Sequence, residues 1–448
     1  MAEARSMHND KESPFTLTLL DGDLGFQVVR FSGREALNQP YRFDIEMIGL
    51  APAMNLDRLL QQPVFLSLTD GQGIHGIVHS ASHEHRDPHR IGYKLVLMPW
   101  LQNLDRQRSR RVFHQLGVPA ILRQLLAENA LPEDSYRFEL PDGRYPVRPF
   151  CIQFDESDLA FLQRLCEEEG IHYHFEHQRH GHVLVLADDS LSFPQEPLLM
   201  PFEGDTFRHT DGPLISELFQ RHTSPPFTTH TAPQQLDRDQ LSRRTLERLR
   251  CQHRQIQGQS NQSELHSGRI VQVSQHPMAN FNDQWLVIEV RHQGQHPSIL
   301  TRNTTDIPRR YSNQFTAIPW STVFRPALTQ ARPGIPGFHT ARVLGPVGQP
   351  VVLDDHGRIP VRLWPTPACD DDQSTGLWLP VILATPDGRV DPSRLPVAGT
   401  EVLISFLDSD PDRPVLCTVA INPPAPRPAR QPRGDDRLLL DWLVNRQT

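Results

Sequence analysis

Three features of the 448-residue chain predict a mainly β fold with a few helices. Proline is abundant, at 41 residues, about double ordinary usage, so long helices are few and loops many. Apolar residues alternate with period two over many short runs, as half-buried strands require. Towards the C-terminal end, two hairpins and an apolar run fall within roughly eighty residues, enough strands for a small closed barrel that hides its own edges.

That barrel is read from two stretches. In VVLDDHGRIPVRLW, residues 351–364, Asp354-Asp355-His356-Gly357 makes the turn and Ile359, Val361 and Leu363 share one face. In GTEVLISFLDSDPDRPVLCTVAI, residues 399–421, Val402, Ile404 and Phe406 share a face, and Leu403 and Leu407 add apolar positions on the other. Pro411 fixes φ for a turn whose carboxylates can accept backbone N–H groups, and residues 415–419 return. Residues 377–384 supply the remaining strand.

Taken in order, residues 1–13 read as a flexible polar N-terminus and 14–101 as an antiparallel barrel-like module. PFTLTLLDGDLGFQVVRFSG gives two strands, YRFDIEMIGL a third with Phe43, Ile45 and Met47 on one face, and PVFLSLTDGQGIHGIVHSAS a hairpin. RIGYKLVLMPWL reads as a strand buried on both sides. Residues 102–182 form an α+β insert. Its first helix follows Gly117-Val118-Pro119 and runs to Asn129, with Ile121, Leu122, Leu125 and Leu126 at helical spacing. Its second starts at Glu156-Ser157-Asp158, where acceptors and negative charge suit an N-terminus. Leu159, Leu162, Leu165 and Cys166 make its stripe, and Gly170 its C-cap. Residues 183–335 read as further β structure with long polar loops and one possible helix in LSRRTLERLR. The closing barrel occupies 336–421, a Pro-rich linker 422–433, and a short amphipathic tail 434–448. Leu439, Leu440, Trp442 and Leu443 are the tail's candidate docking surface, either on its own protein or on a partner.

Net charge is −8, which argues against a nucleic-acid coat or a polybasic membrane anchor. Lysine occurs only at Lys11 and Lys94. The remaining cations are arginines, suited to bidentate, partly buried pairing with carboxylates, although genomic base composition is the plainer source of the bias. Five widely spaced cysteines without a CxxC pair read as reduced thiols. The polar N-terminus lacks an apolar core for a Sec signal, and no apolar run is long enough to span a membrane. A protein of this kind leaves a cell only through a machine.

Chemistry-bearing motifs are few. HYHFEHQRHGH, with His172, His174, His177, His180 and His182, is the strongest metal candidate, but no HExxH accompanies it and a surface or loop placement is favoured. Glu167-Glu168-Glu169, Asp370-Asp371-Asp372 and Asp408/Asp410/Asp412 read as solvated acidic faces rather than acid–base pairs. No GxSxG, P-loop or GxGxxG is present. No catalytic, cofactor-binding or metal-binding residue is assigned. LWLPVILA and YKLVLMPWL are apolar on both faces, which fits intersubunit burial or ordinary central strands.

Several of these residues carry a family resemblance. Gly357-Arg358-x-x-Val361, Gly399-x-Glu401-Val402 and Phe406-x-x-x-Asp410-Pro411-Asp412-Arg413-Pro414 resemble the OB-fold segment of the VgrG spike proteins of type VI secretion. Gln153, Phe154, Glu156, Ser157, Asp158, Leu159 and Phe161, followed by Glu169, Gly170 and Ile171, resemble a helix of the same spike family and the residues after it. Pro99-Trp100-Leu101, Gly268, His276-Pro277, Asn282, Trp285, His292 and residues 311–326 also match in order. The resemblance covers roughly residues 14–421. It implies two barrel-like baseplate-hub modules, 14–101 and 183–335, then an OB-fold barrel. It further implies a homotrimeric, non-enzymatic adaptor with a pseudo-sixfold base that meets a hexameric Hcp-like tube and carries a PAAR-like tip or effector. Such a protein assembles in the bacterial cytoplasm, is secreted or injected, and contacts a target membrane only on injection. The valine- and glycine-rich needle repeats of the family do not follow Ile421, so a short form is expected. A prophage tail baseplate hub and a secreted hydrolytic effector are the alternatives.

Overall fold

A computed structural model describes residues 15–20, 24–50, 52–69, 71–87, 89–141, 143–204, 214–224, 238–296, 310–364, 376–381 and 395–419. These fall into two compact units, one running to Arg332 and one from Pro333 onward, with residues 150–152 grouped with the second. The architecture is mainly β, and no helix among the described residues is long and apolar enough to cross a membrane.

The first unit opens with β1 (Thr16–Leu19), β2 (Leu24–Ala36), β3 (Gln39–Leu50), β4 (Pro63–Thr69), β5 (Gln72–Asp87) and β6 (Arg90–Met98). Neighbours run β1-β4-β5-β6-β3-β2, and β1 also pairs with β2, so the six strands close into an antiparallel ring. Leu17, Phe43, Ile45, Val64, Leu66 and Leu97 fill it. Phe43, Ile45 and Met47 point inward, as their spacing predicts. In β6, Tyr93, Leu95 and Leu97 are buried, while Lys94 is exposed and Val96 half-buried. The expectation of a strand covered on both sides is therefore corrected: within this chain β6 is a ring strand with one inward face.

The insert follows: β7 (Arg108–Leu116), α1 (Val118–Glu128), β8 (Tyr136–Glu139), β9 (Arg148–Ser157), α2 (Asp158–Glu169), β10 (His172–Gln178) and β11 (Gly181–Ala187). The hairpin β10–β11 is antiparallel, and β8 joins β11 in parallel. Both helices arise as the sequence predicts. α1 buries Ile121, Leu122, Leu125 and Leu126. For α2, the Ser157 hydroxyl accepts the Ala160 N–H at 3.2 Å, and Gly170 ends the helix at φ 71°, a left-handed cap that glycine adopts without a Cβ penalty.

Then come β12 (Leu198–Pro201), β13 (Ile215–His222), α3 (Arg238–His253), β14 (Arg254–Ser260), β15 (Ile270–Ser274), β16 (Gln284–Gln295) and β17 (Arg310–Pro319). The possible helix in LSRRTLERLR lies within the longer α3. Strand order is β12-β15-β16-β17-β14-β13, and a Phe202–Ile215 bridge returns β13 to the end of β12. This second ring repeats the order of the first, with β12 to β17 standing for β1 to β6. One strand is reversed: β1 is antiparallel to β4, whereas β12 is parallel to β15. The core holds Met200, Ile256, Val271, Val273, Trp285, Val287 and Phe315.

The rings are joined through β2 and β16, antiparallel over residues 30–36 and 289–295. Gly33 sits opposite His292, and Gly294 opposite Phe31. A Cβ on Gly33 would lie 2.1 Å from the Phe43 ring, and one on Gly294 2.0 Å from the Phe31 ring. Both phenylalanines are buried and lie across bare backbone, which is why these strand positions lack a side chain.

The second unit contains β18 (Phe338–Val343), β19 (Arg358–Leu363), β20 (Leu377–Pro380), β21 (Glu401–Phe406) and β22 (Pro414–Val419). Their order is β20-β19-β18-β21-β22, and a parallel Val381–Leu416 bridge returns β22 to β20. This is the closed five-stranded order of an OB-fold. Ile359, Val361, Val402 and Ile404 fill it, as their alternation predicts. The expected strand at 351–353 forms no ladder, and β18 pairs with β19 instead. Its FHTARV sequence alternates weakly, and Phe338 is exposed. In the turn, Asp354 Oδ1 accepts the His356 and Arg358 N–H groups at 3.0 and 2.8 Å.

Gly33→Ala and Gly294→Ala are each expected to destabilise the protein by about 1–3 kcal/mol, read as a lower chemical-denaturation midpoint. Gly25→Ala, where a Cβ meets nothing within 4 Å, should stay within about 0.5 kcal/mol.

Candidate functional site at the junction of the two rings

The C-terminal end of α2 carries Glu167, Glu168 and Glu169, and all three are buried. Carboxylates at a helix C-terminus oppose the helix dipole, so their burial requires matched cations. Glu168 accepts from Arg164 at 3.0 Å, Arg332 at 3.0 Å and Arg148 at 3.3 Å. Glu169 accepts from Arg148 at 2.6 Å and Arg244 at 2.9 Å. Glu167 takes the backbone N–H groups of Thr329 and Gln330 at 2.7 and 2.8 Å. Arg248, on α3, donates to the carbonyls of Glu167 and of Pro326. Arg325 pairs with Glu247 at 2.6 Å and donates to the carbonyls of Gly170 and Asp188.

Burial alone would raise the Glu168 carboxyl, but Arg164, Arg332 and Arg148 hold it below the usual range. For Glu167 burial prevails and the carboxyl is raised, although the two N–H donors oppose it. Burial lowers the Arg248 guanidinium to about 10, with Arg244 and Arg325 adding repulsion. The solvated-face expectation for Glu167–Glu169 is thus overturned. Apart from Arg164 on α2 itself, their partners come from other elements, β9, α3 and residues 325–332, and this cluster binds those segments to α2. Asp408, Asp410 and Asp412 sit in a turn, where Arg413 donates to Asp408 at 2.8 Å. Asp370 to Asp372 lie outside the described residues.

The histidine stretch forms the β10–β11 hairpin and turns largely inward. His172, His174 and His182 are buried, and of the histidines in the stretch only His180, near the tip, is exposed. The surface expectation is corrected for the others. The Trp100 N–H donates to His182 Nε2 at 3.3 Å, so the proton of a neutral His182 sits on Nδ1. That nitrogen lies 2.9 Å from His75 Nδ1. Burial pushes His75 and His174 down to about 4 and His177 to about 3.

At the seam itself, Glu35 on β2 is buried. Its Oε1 lies 2.9 Å from His266 Nδ1 and 2.8 Å from His292 Nε2. His292 Nδ1 meets the Tyr311 hydroxyl at 2.7 Å. Burial would raise Glu35, but His266 and His292 hold it ionised. The β2–β3 turn docks on the insert: Asn38, at φ 61°, donates its side-chain amide to the Ile171 carbonyl at 3.1 Å and its backbone N–H to Tyr173 O at 2.9 Å. Sequence reasoning missed Glu35, His75 and His266. Each is a lone polar residue whose partners come from another module. The candidate docking residues Leu439, Leu440, Trp442 and Leu443 lie outside the described residues.

Residues 34–232 and 216–298 match the family of the phage tail baseplate hub (GPD), and the chain belongs to that family. It is 34% identical over 480 residues to the type VI secretion system spike protein VgrG4b of Pseudomonas aeruginosa, across 96% of this chain and 59% of that protein. It is 36% identical over 449 residues to VgrG5 of the same bacterium, across 90% of this chain and 57% of that one. The chain therefore spans less than two thirds of these relatives. A solved E. coli protein, c3393, described as a type VI secretion component similar in structure to the T4 bacteriophage tail proteins gp27 and gp5, matches with a TM-score of 0.71 and 26% identity. That match covers 88% of this chain and 97% of that one.

Removing one partner from the buried cluster should leave an uncompensated charge. Glu169→Gln is expected to destabilise by about 3–5 kcal/mol in equilibrium denaturation. Arg30→Ala, which breaks the exposed pair with Glu46, should cost no more than about 1 kcal/mol.

Proposed function

We propose that the chain is the structural hub of a contractile injection machine of the type VI secretion kind, acting as a homotrimer and not as an enzyme. The carrying observation is the pair of rings with one strand order, held edge to edge by β2 and β16. Three such protomers around an axis present six similar rings, a pseudo-sixfold base on a threefold body. A surface of that kind complements a hexameric Hcp-like tube, so the protomer works as a symmetry adaptor. The OB barrel is the module that carries a PAAR-like tip or an effector. The modules in this proposal are 14–101, the insert 102–182, 183–335 and the OB barrel 336–421. Residues 422–433 act as a linker, and 434–448 dock a partner through Leu439, Leu440, Trp442 and Leu443. Assembly takes place in the bacterial cytoplasm, and the machine then exports the protein.

A structural role agrees with the state of the thiols. Burial pushes Cys251 up to about 11 and Cys166 higher still, so neither is a ready thiolate nucleophile at neutral pH. A prophage baseplate hub is the second reading, favoured by the phage-hub family match; it shares the fold and the trimer.

The absolute mass by light scattering over a concentration series tests the proposal. A mass of three chains is expected. A monomer at every concentration would contradict a hub that trimerises through these residues.

A further inference from the structure

We infer that Glu35, His266 and His292 form a binding site for one divalent transition-metal ion of the zinc class, placed on the seam between the two rings. One carboxylate oxygen and two imidazole nitrogens converge there, all within 4.8 Å of one another. Mixed imidazole and carboxylate donors suit zinc and its near neighbours. The observed separations of 2.8 and 2.9 Å need to open to roughly 3.3 Å for a tetrahedral ion with bonds near 2 Å, a small side-chain adjustment. The ligands come from three places in the chain: β2 of the first ring, β16 of the second, and the segment before β15.

Three further observations favour an ion over a purely hydrogen-bonded triad. The second nitrogen of His292 is held by the Tyr311 hydroxyl, which also receives the Asn313 amide at 3.2 Å. This outer arrangement orients a metal-ligating imidazole. His177 stands beside the triad, its ring centroid 6.0 Å from that of His266. Its two ring nitrogens are buried and neither makes a well-formed hydrogen bond, although the His75 backbone acts on the ring. It is the natural source of a fourth ligand, directly or through a water. A cavity of about 210 Å³ lined by His174, His177, Glu264 and His266 touches one of the three ligands and the candidate fourth, which leaves an ion a way towards the site from that side. Bound there, the ion would clasp both rings and the insert together.

The test uses the untagged full chain, stripped with a chelator and dialysed. Co²⁺ is titrated while visible absorption is followed, and Zn²⁺ is then added in competition. The expected result is one saturable equivalent per chain with the intense ligand-field bands of four-coordinate cobalt, displaced by one equivalent of Zn²⁺. His266→Ala and Glu35→Gln should each abolish that equivalent, while His180→Ala, at the exposed hairpin tip, should retain it. Absence of saturable uptake by the wild type would overturn the assignment. So would unchanged uptake in a folded His266→Ala protein, which would mean an adventitious ion only. If neither ligand variant folds, X-ray absorption at the zinc edge of the loaded wild type decides. Two or three imidazoles with a carboxylate oxygen support the site, and a shell of oxygens alone overturns it.

Discussion

One edge of β2 carries two neighbours in succession, and the arrangement of the first unit depends on that sharing. Its first residues pair with β1 and close the first ring; its later residues pair with β16 and begin the second. Register along this seam is strongly specified. Phe31 lies over Gly294, Phe43 over Gly33, and Glu35 reaches His292 from the same inward face. A slip of one residue would turn Glu35 outward and bring side chains against the two aromatic rings. The bidentate Arg34–Glu289 pair lies across the same strands, but its exposure makes it a weak contributor beside the packing.

The buried charge cluster plays a complementary part. Hydrophobic contacts alone would let α3 and residues 325–332 settle on the end of α2 in several ways. Forked guanidinium groups accept few geometries, and the Glu168 and Glu169 carboxylates each have donors from more than one segment. Arg148, Arg244, Arg248, Arg325 and Arg332 act on residues 167–170 from different directions. Lysine could not replace this planar, multidentate pairing. The near absence of lysine in the sequence therefore has a structural use.

The sequence made some parts legible and hid others for definable reasons. Phe43, Ile45 and Met47 announce a ring strand, Ser157 and Gly170 bracket α2, and Ile359, Val361, Val402 and Ile404 mark the OB interior, because in each case the signal is local periodicity or a cap. The second ring was harder to read. β12 is only four residues long, and its reversal breaks the parallel with β1. Glu167 to Glu169 looked solvated because three adjacent acids normally are; apart from Arg164, their cations come from other elements, Arg148 on β9, Arg244 on α3 and Arg332. The histidines of β10 and β11 were ambiguous because imidazole serves a surface or a core equally well. Residues 351–353 have more β-like side chains than residues 338–343, yet pairing with β19 and β21 selected the latter.

The most direct test of this account is native-state hydrogen exchange across β2 and β16. The two rings are held to be one cooperative unit, so the amides of residues 30–36 and 289–295 should be among the slowest to exchange, opening only with global unfolding of both rings. Rapid exchange of these amides while the remaining ring strands stay protected would contradict it, and would make the rings independent modules that merely touch.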